Sequence, residues 1–340
     1  MLKQINNYGR YNCTAHCTKA NIKMELFNQI ISILADFTDP RKRVFIGYLF
    51  LSLFIAFVWL VVFKRINSKI ALIKIFDKKI FFSKSAQADY KIFIINRVIS
   101  LFISPLLLTQ IAIATGIYLL LHQQGYIQSG YFSSTSTSIV VLLFTLFMFF
   151  IDDFSKYLVH RWMHKFHFLW AIHKVHHSAE TLTPLTVYRV HPLEGILYTL
   201  RSAVSQGLAI SIFIFLFGSS VDLYTIVGVN VLVFIFHITG SNLRHSHISI
   251  SYWSWLEYIL ISPAQHQLHH SIAKEHHDKN YGAALAVWDW IFGSLYLSDD
   301  TKDLKFGLKQ SEASSTNLID IYIRPFLDIK KIILKVFKVN

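Results

Sequence analysis

Charged side chains are scarce in this sequence, and cysteine is almost missing. Asp, Glu, Lys and Arg make up 16% of the 340 residues, whereas apolar residues make up 53%. This composition is typical of a membrane protein. The two cysteines, Cys13 and Cys17, lie near the N-terminus on either side of His16. They exclude a disulfide framework, and we interpret them as incidental residues of a tail rather than as a zinc or redox site.

Interdomain linkers and nucleic-acid-binding modules are missing as well. No stretch rich in Pro, Gly or Ser divides the chain, and no signal peptide stands out in residues 1–30, which are polar and mixed in charge. The net charge of +13 is not accompanied by aromatic residues in a recognisable nucleic-acid-binding pattern. We therefore expect no nucleic acid partner, and we assign the basic residues to loops that face an anionic cytoplasmic leaflet.

Long uncharged runs are the main feature that is present. A helix of about 20 apolar residues is long enough to cross a bilayer. Apolar runs predict membrane helices at 44–63, 98–121, 139–151, 202–221 and 223–243. Pro105 lies inside the second run, where it either kinks the helix or marks the turn of a shallow re-entrant pair.

The turn between the last two runs predicts which segments share a side of the membrane. Gly218, Ser219 and Ser220 beside Asp222 are typical of a hairpin turn, which returns the chain to the side it left. Residues 160–177 and 245–277 must then face one compartment. A basic loop, predicted at 64–91, falls on that side if 98–121 is one full span. The excess of basic residues in this loop predicts that the side is cytoplasmic.

Histidine is concentrated in one part of the chain. Fifteen of the seventeen histidines lie between His160 and His277. Most of them form three groups: His160 and His164; His173, His176 and His177; His266, His269 and His270. Residues three or four apart share a face of an α-helix, so we expect the members of each group to point together. Eight imidazoles exceed the needs of one tetrahedral metal ion, which predicts a two-metal site with nitrogen ligands.

The ligand type narrows the choice of metal ion only partly. Imidazole suits zinc, copper, iron and nickel about equally. Soluble di-iron bundles use glutamates and Glu-x-x-His pairs, which do not recur here. A set made only of histidines leaves the metals with more positive charge, in keeping with an oxidising iron centre. Carboxylates are expected to hold the imidazoles in place, and the candidates are Asp153, Glu194 and Glu257.

Several histidines outside the three groups have ordinary explanations. We interpret His167 as a surface residue and His16 and His122 as unrelated to the site. His191, which precedes a proline, fits either a simple turn or a residue that supports a ligand. His237 lies within an apolar run, where an intramembrane histidine is either functional or a satisfied core residue.

These motifs resemble a known family. The pattern is similar to that of the sterol desaturase and fatty acid hydroxylase superfamily, integral-membrane di-iron enzymes, over about residues 139–297. The segments that carry the resemblance are Asp153-Phe154-x-x-Tyr157-x-x-His160-Arg161-x-x-His164, Ser262-Pro263-Ala264-Gln265-His266-Gln267-Leu268-His269-His270-Ser271, Asp278-Lys279-Asn280-Tyr281-Gly282 and Trp288-Asp289-Trp290-Ile291-Phe292-Gly293-Ser294-Leu295-Tyr296.

The resemblance adds further residues to the expected site. Family members carry one more ligand histidine between the hairpin and the last box, a role we assign to His245 with His247 as its competitor. His276 resembles a family position outside the ligands. Arg189 lies where members resembling alkylglycerol monooxygenases also have an arginine, and with Asp153, His191 and Glu194 it is expected to support the metal ligands. The expected ligands are therefore His160, His164, His173, His176, His177, His245, His266, His269 and His270.

The resemblance also implies cofactors and partners. Two iron ions, which zinc can replace during purification, would activate O₂ to oxidise an unactivated C–H bond of a lipid such as a sterol, fatty acyl chain or ether lipid. The chain lacks a His-Pro-Gly-Gly haem-binding domain, so electrons are expected from a separate reductase or carrier protein. Hydroxylation is favoured over desaturation, although both outcomes use the same ligands.

We expect an all-α, polytopic membrane bundle with a histidine-rich helical cap on the cytoplasmic side. Its parts are a tail at 1–43, spans and a basic loop at 44–138, a di-iron catalytic domain at 139–297 and an amphipathic tail at 298–340, with a surface helix at 317–337. The rival hypotheses are a zinc-binding or zinc-transporting membrane protein, a bis-histidine haem carrier and an inactive lipid-binding family member. The composition favours a bacterial inner membrane over the endoplasmic reticulum.

Overall fold

The computed structural model describes residues 37–40, 42–103, 110–218, 235–236, 241–298, 304–308, 312 and 316–338. Several sequence-based expectations lie outside these residues: Cys13, His16, Cys17, Pro105, the turn at 219–222, His237 and most of the run at 223–243. The chain forms two compact units, Met1–Ile46 and Gly47–Asn340. In the first, the described residues form a turn in which the amide of Ile46 donates to the carbonyl of Phe37 (2.8 Å).

Among the described residues the protein is helical and contains no β-strand. The α-helices are α1 (Ile46–Val58), α2 (Ser68–Ile75), α3 (Lys78–Phe81), α4 (Lys84–Ile103), α5 (Gln110–Gln123), α6 (Thr137–Lys165), α7 (His167–His177), α8 (Pro192–Phe217), α9 (Ser254–Glu257), α10 (Pro263–His269), α11 (Val287–Ile291) and α12 (Leu318–Lys338). A π-helix at Trp59–Phe63 extends α1, and 3₁₀ turns form at Pro184–Tyr188, Ser241–His245 and Lys274–His276. The predicted all-α class is confirmed.

Three of the described helical segments are long and apolar enough to cross a membrane. They are Ile46–Phe63, Thr137–Lys165 and Pro192–Phe217. The second and third continue well beyond the predicted runs: α6 carries on through His160 and His164, and α8 begins ten residues before Ser202. The histidine-bearing region is thus built directly onto the ends of membrane helices.

The predicted span at 98–121 and the predicted basic loop at 64–91 have a different form. Residues 98–103 end α4, which begins at Lys84, and α5 is an apolar helix shorter than a span. The basic segment is largely helical, because Ala71 and Ile75 give it an apolar side that packs against Leu60 of the first span. The prediction of a loop at 64–91 was therefore wrong.

Helices α5, α6 and α8 pack closely along their apolar faces. Phe144 of α6 meets Phe213 of α8 with ring centroids 5.2 Å apart. A Cβ atom at Gly207 would lie 2.8 Å from Cγ2 of Ile113, so only glycine allows α5 and α8 to approach this closely. The hydroxyl of Ser211 donates to the carbonyl of Ala114 (2.6 Å) across the same contact. These contacts leave the far ends of α6 and α8 to carry the histidine region.

The amphipathic helix α12 packs against α7. The ammonium of Lys174 donates to the carboxylate of Asp328 (2.6 Å) and to the carbonyl of Glu312 (2.9 Å). Ile321 is buried with Val175 in a small apolar core. The helix predicted at 317–337 thus covers the outside of one histidine-bearing helix.

Candidate metal centre

Five imidazoles converge from three helices. They belong to His160 and His164 of α6, His173 and His177 of α7, and His269 of α10, and one nitrogen of each lies within 4.8 Å of those of the others. The i, i+4 spacing on α6 and on α7 aligns each pair along one helix face. We call these residues the five-histidine group.

Four further imidazoles converge beside the first set. They belong to His176, His245, His266 and His270, which we call the four-histidine group. Nε2 of His245 lies 3.1 Å from Nε2 of His176, 3.0 Å from that of His266 and 3.2 Å from that of His270. Two nitrogens bound to one tetrahedral metal at about 2.0–2.1 Å lie about 3.3 Å apart, so the spacing is close to that of a metal site.

The two groups adjoin, and neighbouring residues in the sequence serve different groups. The imidazoles of His176 and His177 have planes 87° apart, and those of His269 and His270 have planes 84° apart. His177 and His270, from different groups, have centroids 4.6 Å apart. The expectation that each trio points in a single direction was wrong, because successive helical residues are rotated by about 100°. Instead, α7 and the α10 segment each supply both groups.

Main-chain carbonyls orient several of these rings through Nδ1. The pairs are His160 with Tyr281 (2.8 Å), His269 with Lys279 (2.7 Å) and His176 with Arg189 (3.3 Å). A carbonyl oxygen only accepts hydrogen bonds, so Nδ1 carries the proton in each pair. Nε2 then carries no proton, which is the form in which imidazole binds a metal.

The remaining nitrogens of the five-histidine group fit a metal ion. Nε2 of His164, His173, His177 and His269 is buried with no hydrogen-bond partner within the protein. Buried polar atoms are normally satisfied, so four such atoms converging on one point indicate a ligand. Burial also lowers the pKa of His173, His177 and His269 well below its usual value, which keeps these rings neutral and able to coordinate.

A carboxylate holds one ring directly. Oε1 of Glu194, at the start of α8, accepts a hydrogen bond from Nδ1 of His173 (2.9 Å), and both side chains are 2% exposed. A carboxylate in this position fixes the tautomer and increases the basicity of the ring. Glu194 therefore lies where the sequence analysis expected a supporting carboxylate.

Asp153 and Asp289 support the imidazoles indirectly, because they bind the loop that carries Tyr281. Asp153 accepts hydrogen bonds from the amides of Ala284 (2.8 Å) and Leu285 (3.1 Å). Asp289 accepts from the amides of Tyr281 (2.8 Å) and Gly282 (2.7 Å). Asp153 thus does not hold an imidazole. It anchors the loop whose carbonyl at Tyr281 orients His160.

Glu257 supports the last box in a similar indirect way. It accepts hydrogen bonds from the hydroxyl of Ser262 (2.6 Å) and the amide of Ser298 (2.8 Å). Ser262 in turn caps α10 by accepting from the amide of Gln265 (3.1 Å). The carboxylate therefore fixes the start of the helix that carries His266 and His269, without touching either ring.

Arg189 is buried in an ion pair that sequence reasoning did not find. Its Nε donates to Oδ1 of Asp89 on α4 (2.5 Å), and both side chains are fully buried. Arg189 also donates to the hydroxyl of Ser178 (3.0 Å). The main-chain carbonyl of Arg189 accepts a hydrogen bond from His176 and so orients that ring. The hydrogen bonds of the Arg189 side chain hold this carbonyl in place. In the sequence, Asp89 is recognisable only as an acidic residue that precedes the uncharged run beginning at Val98.

The other histidines in the described part of the chain lie outside both groups. His191 caps α8 by accepting from the amide of Leu193 (3.3 Å), and it donates to the carbonyl of Tyr322 (3.2 Å). His247 donates to the carbonyl of Lys74 (2.8 Å) and belongs to neither histidine group. His276 contacts the ring of Tyr296. Of the two candidates between the hairpin and the last box, His245 is therefore the one that joins a group.

A cavity of about 440 Å³ opens onto the centre. Three members of the five-histidine group line it, together with His270 of the other group. The rest of the lining is mixed and includes Trp170, Ile272, Phe306 and Leu308 with the charged Asp278 and Glu312. This volume is within the range of small-molecule sites, so a small molecule has space to approach the histidine groups.

Comparisons with known proteins agree with these motifs. Residues 145–294 match the family model described as fatty acid hydroxylase. Human alkylglycerol monooxygenase is 30% identical over 143 residues, which are 42% of this chain and 28% of the human protein. Ornithine lipid hydroxylase OlsE of Rhizobium tropici is 27% identical over 43% of this chain and 40% of its own length.

A third relative covers more of the chain. The Delta(7)-sterol 5(6)-desaturase of Candida dubliniensis is 28% identical over 266 residues, which are 77% of this chain and 61% of the desaturase. The chain spans about 30% of the length of the alkylglycerol monooxygenases it matches in human and zebrafish (Danio rerio). No solved structure gives a significant match. Residues 145–294 therefore match a fatty acid hydroxylase domain, and the relatives of the chain include alkylglycerol monooxygenases, a lipid hydroxylase and sterol desaturases.

Proposed function

We propose that the protein is a membrane-bound di-iron oxygenase that hydroxylates an unactivated C–H bond of a lipid. The observation that carries the proposal is the convergence of nine buried or nearly buried imidazoles into two adjoining groups, each large enough to bind one metal ion. The nine are the residues that the sequence analysis assigned as ligands.

Iron is favoured over zinc by the chemistry of the relatives. Imidazole donors alone do not choose between these metals. The three relatives described above are named for hydroxylation, monooxygenation or desaturation of lipids, which are redox reactions that zinc does not perform. A bound pair of irons would supply the activation of O₂, with electrons from a separate reductase or carrier protein.

The chain's own residues hold and orient this centre. Carbonyls and Glu194 fix the tautomers of the rings, and burial keeps the rings neutral. Trp170, Ile272 and Phe306 line the cavity beside the five-histidine group, where they would pack against an apolar part of the substrate and exclude water. The substrate class is a membrane lipid, since alkylglycerols, ornithine lipids and sterols share only that character.

Hydroxylation is our first choice over desaturation. Two of the three relatives are named as a monooxygenase or a hydroxylase, and the third is named as a desaturase. The ligands are common to both outcomes, so the choice depends on how the substrate lies in the cavity.

The centre is proposed to face the cytoplasm, in the inner membrane of a bacterium or, alternatively, in the endoplasmic reticulum. The basic segment 64–91 supports this orientation because it contacts the histidine-bearing domain. Ser83 pairs with Thr181 (2.7 Å), and the carbonyl of Lys74 accepts from His247 (2.8 Å). Basic segments next to spanning helices are retained on the cytoplasmic side.

Metal analysis with Mössbauer spectroscopy tests the proposal. The protein is purified without oxygen from cells fed iron-57, because zinc displaces iron from nitrogen sites during purification. We expect about two coupled irons per chain, and we expect the reduced protein to transfer oxygen from labelled O₂ into a membrane lipid. Zinc in both sites under these conditions would favour a zinc-binding protein, and two irons without lipid turnover would favour an inactive lipid-binding member.

A further inference from the structure

The surface formed by α9 and α11 carries exposed aromatic side chains and no exposed charge. It consists of Trp253, Trp255, Tyr258, Ile259, Trp290 and Ile291, which we call the tryptophan face. Trp255 is 64% exposed and Trp290 is 59% exposed. Four of the seven tryptophans of the chain fall between residues 253 and 290. A patch of this kind on a protein surface indicates a binding partner.

The charge pattern distinguishes this face from the rest of the domain. Residues 248–273 and 281–298 contain one charged residue each, Glu257 and Asp289, which are 1% and 0% exposed. Both carboxylates are satisfied by hydrogen bonds inside the protein. The segment between them, 274–280, by contrast, carries exposed charges such as Lys274. Two surfaces of one domain are therefore built for different surroundings.

Contacts with two spanning helices place the tryptophan face at the height where those helices leave the membrane. Trp288 of α11 packs against Phe154 of α6 with centroids 4.8 Å apart, three residues beyond the apolar run that ends at Ile151. Nε1 of Trp59, in the last turn of the first span, donates to the carbonyl of Ser249 (3.0 Å), four residues before Trp253. Both contacts lie where a span ends, and exposed Phe150 continues the apolar surface down α6.

We propose that the tryptophan face lies at the membrane interface, with its aromatic rings inserted into one leaflet beside the ends of the spanning helices. Helices of four and five residues are too short to cross a membrane. Tryptophan and tyrosine are enriched at membrane–water interfaces, where an apolar ring and a polar N–H or O–H are both accommodated. The partner is therefore lipid, and the contact is monotopic rather than a further span.

This placement also positions the metals. His160 follows Phe154 by six residues on α6, which is about 9 Å along the helix axis. Asp289 of α11 holds the amide of Tyr281, and the carbonyl of Tyr281 orients His160. A helix seated in the headgroup region is thus linked to a proposed metal ligand through two hydrogen bonds. The placement itself does not depend on the proposed enzymatic activity.

Spin labels test the placement on the full chain in lipid nanodiscs. Cys13→Ser and Cys17→Ser remove the native thiols, and single labels are attached at Trp255→Cys, Trp290→Cys or Ile259→Cys. Leu142→Cys on the exposed face of α6 is the lipid reference, and Lys274→Cys is the water reference. The zinc-loaded protein is used because it is diamagnetic, and an unchanged zinc content shows that each variant is folded.

Collision rates with O₂ and with a water-soluble nickel chelate give the result. We expect labels at 255, 259 and 290 to favour O₂ over nickel, as at 142, and the label at 274 to favour nickel. A nickel preference at 255 and 290 would overturn the proposal by placing the face in water. Protection from both reagents, with spin–spin broadening that disappears on dilution with unlabelled protein, would overturn it in favour of a second copy of the chain.

Discussion

The two histidine groups are built differently although they share helices. Three of the five-histidine group line the cavity, and four of its members have an unpartnered, buried Nε2. In the four-histidine group, Nε2 of His245 lies 3.0–3.2 Å from three other Nε2 atoms, and of its members only His270 lines the cavity. We therefore propose that the five-histidine group would face a substrate in the cavity and that the four-histidine group would hold a metal ion farther from it. The following predictions separate the two groups.

Removing one ligand from each group is expected to have the largest effect. His269→Ala and His173→Ala should abolish activity and reduce the metal content from two ions to one, because only the five-histidine group loses a ligand. His266→Ala should give the same count by emptying the other group. Metal analysis and lipid turnover measure both effects. His122→Ala is the control, since this exposed histidine at the end of α5 bonds only to Tyr118 and Ser129. Full activity in His173→Ala would contradict the assignment.

Breaking the buried pair behind the four-histidine group should come next. Asp89→Ala leaves the guanidinium of Arg189 buried without its carboxylate, which costs about 3–5 kcal/mol of unfolding free energy. Because the carbonyl of Arg189 orients His176, metal loss is expected first from the four-histidine group. Thermal unfolding and metal content are the measurements. Asp320→Ala, which removes a half-exposed pair with Arg324, should cost less than about 1 kcal/mol.

Substitution of Glu194 should weaken metal binding to the five-histidine group less than the loss of a ligand does. Glu194→Ala should weaken metal binding there by about 10–100-fold, because His173 loses the partner that fixes its tautomer. Glu194→Gln keeps an acceptor for Nδ1 and should lose less. Competition with a chelator measures the affinity. Equal behaviour of the two variants would show that the hydrogen bond does not matter.

Acid should destabilise the metal-free protein. Burial lowers the pKa of His173, His266 and His270 well below 6.5 in the folded state, whereas the unfolded rings titrate near 6.5. The unfolded chain therefore binds more protons below pH 6.5, and stability falls as pH decreases. The slope is at most about 1.4 kcal/mol per pH unit for each ring. Melting temperatures of the metal-free protein between pH 8 and pH 5 measure the effect, and a flat profile would contradict it.

The substitution of His247, two residues after His245, is expected to have the smallest effect on metal content. His247→Ala removes a hydrogen bond to the carbonyl of Lys74 and should leave both metals in place. His245→Ala removes the ring whose Nε2 faces three others and should empty the four-histidine group. The metal counts of the two variants decide between these neighbours. One metal lost from His247→Ala would reverse the assignment.

Sequence periodicity predicted which histidines come together, but not which of the two groups each histidine joins. The i, i+3 and i, i+4 spacings are local, and from them we expected His173, His176 and His177 to point in one direction. Whether His176 turns to one metal and His177 to another depends on where α10 and His245 lie. That placement is a tertiary property, absent from the spacing. Glu194 could be predicted because it is a rare acid beside an apolar run.

The indirect supports were harder to find. Asp153 and Glu257 were expected to touch imidazoles, but they hold main-chain amides and a helix cap. Asp89 acts on a residue 100 positions away, through contacts that nothing local in the sequence encodes. The helices in the basic segment 64–91 were missed because its lysines mask the small apolar side formed by Ala71 and Ile75.

The use of carbonyl groups to orient three rings has a consequence for evolution. Every residue type has a main-chain carbonyl, so the side chains at Tyr281 and Lys279 can change without removing the acceptor that each imidazole needs. At these two positions only the path of the backbone must be kept. Arg189 differs, because its buried side chain holds its own carbonyl in place. A centre supported in this way tolerates side-chain changes beside His160 and His269 while the orientation of these two imidazoles is kept.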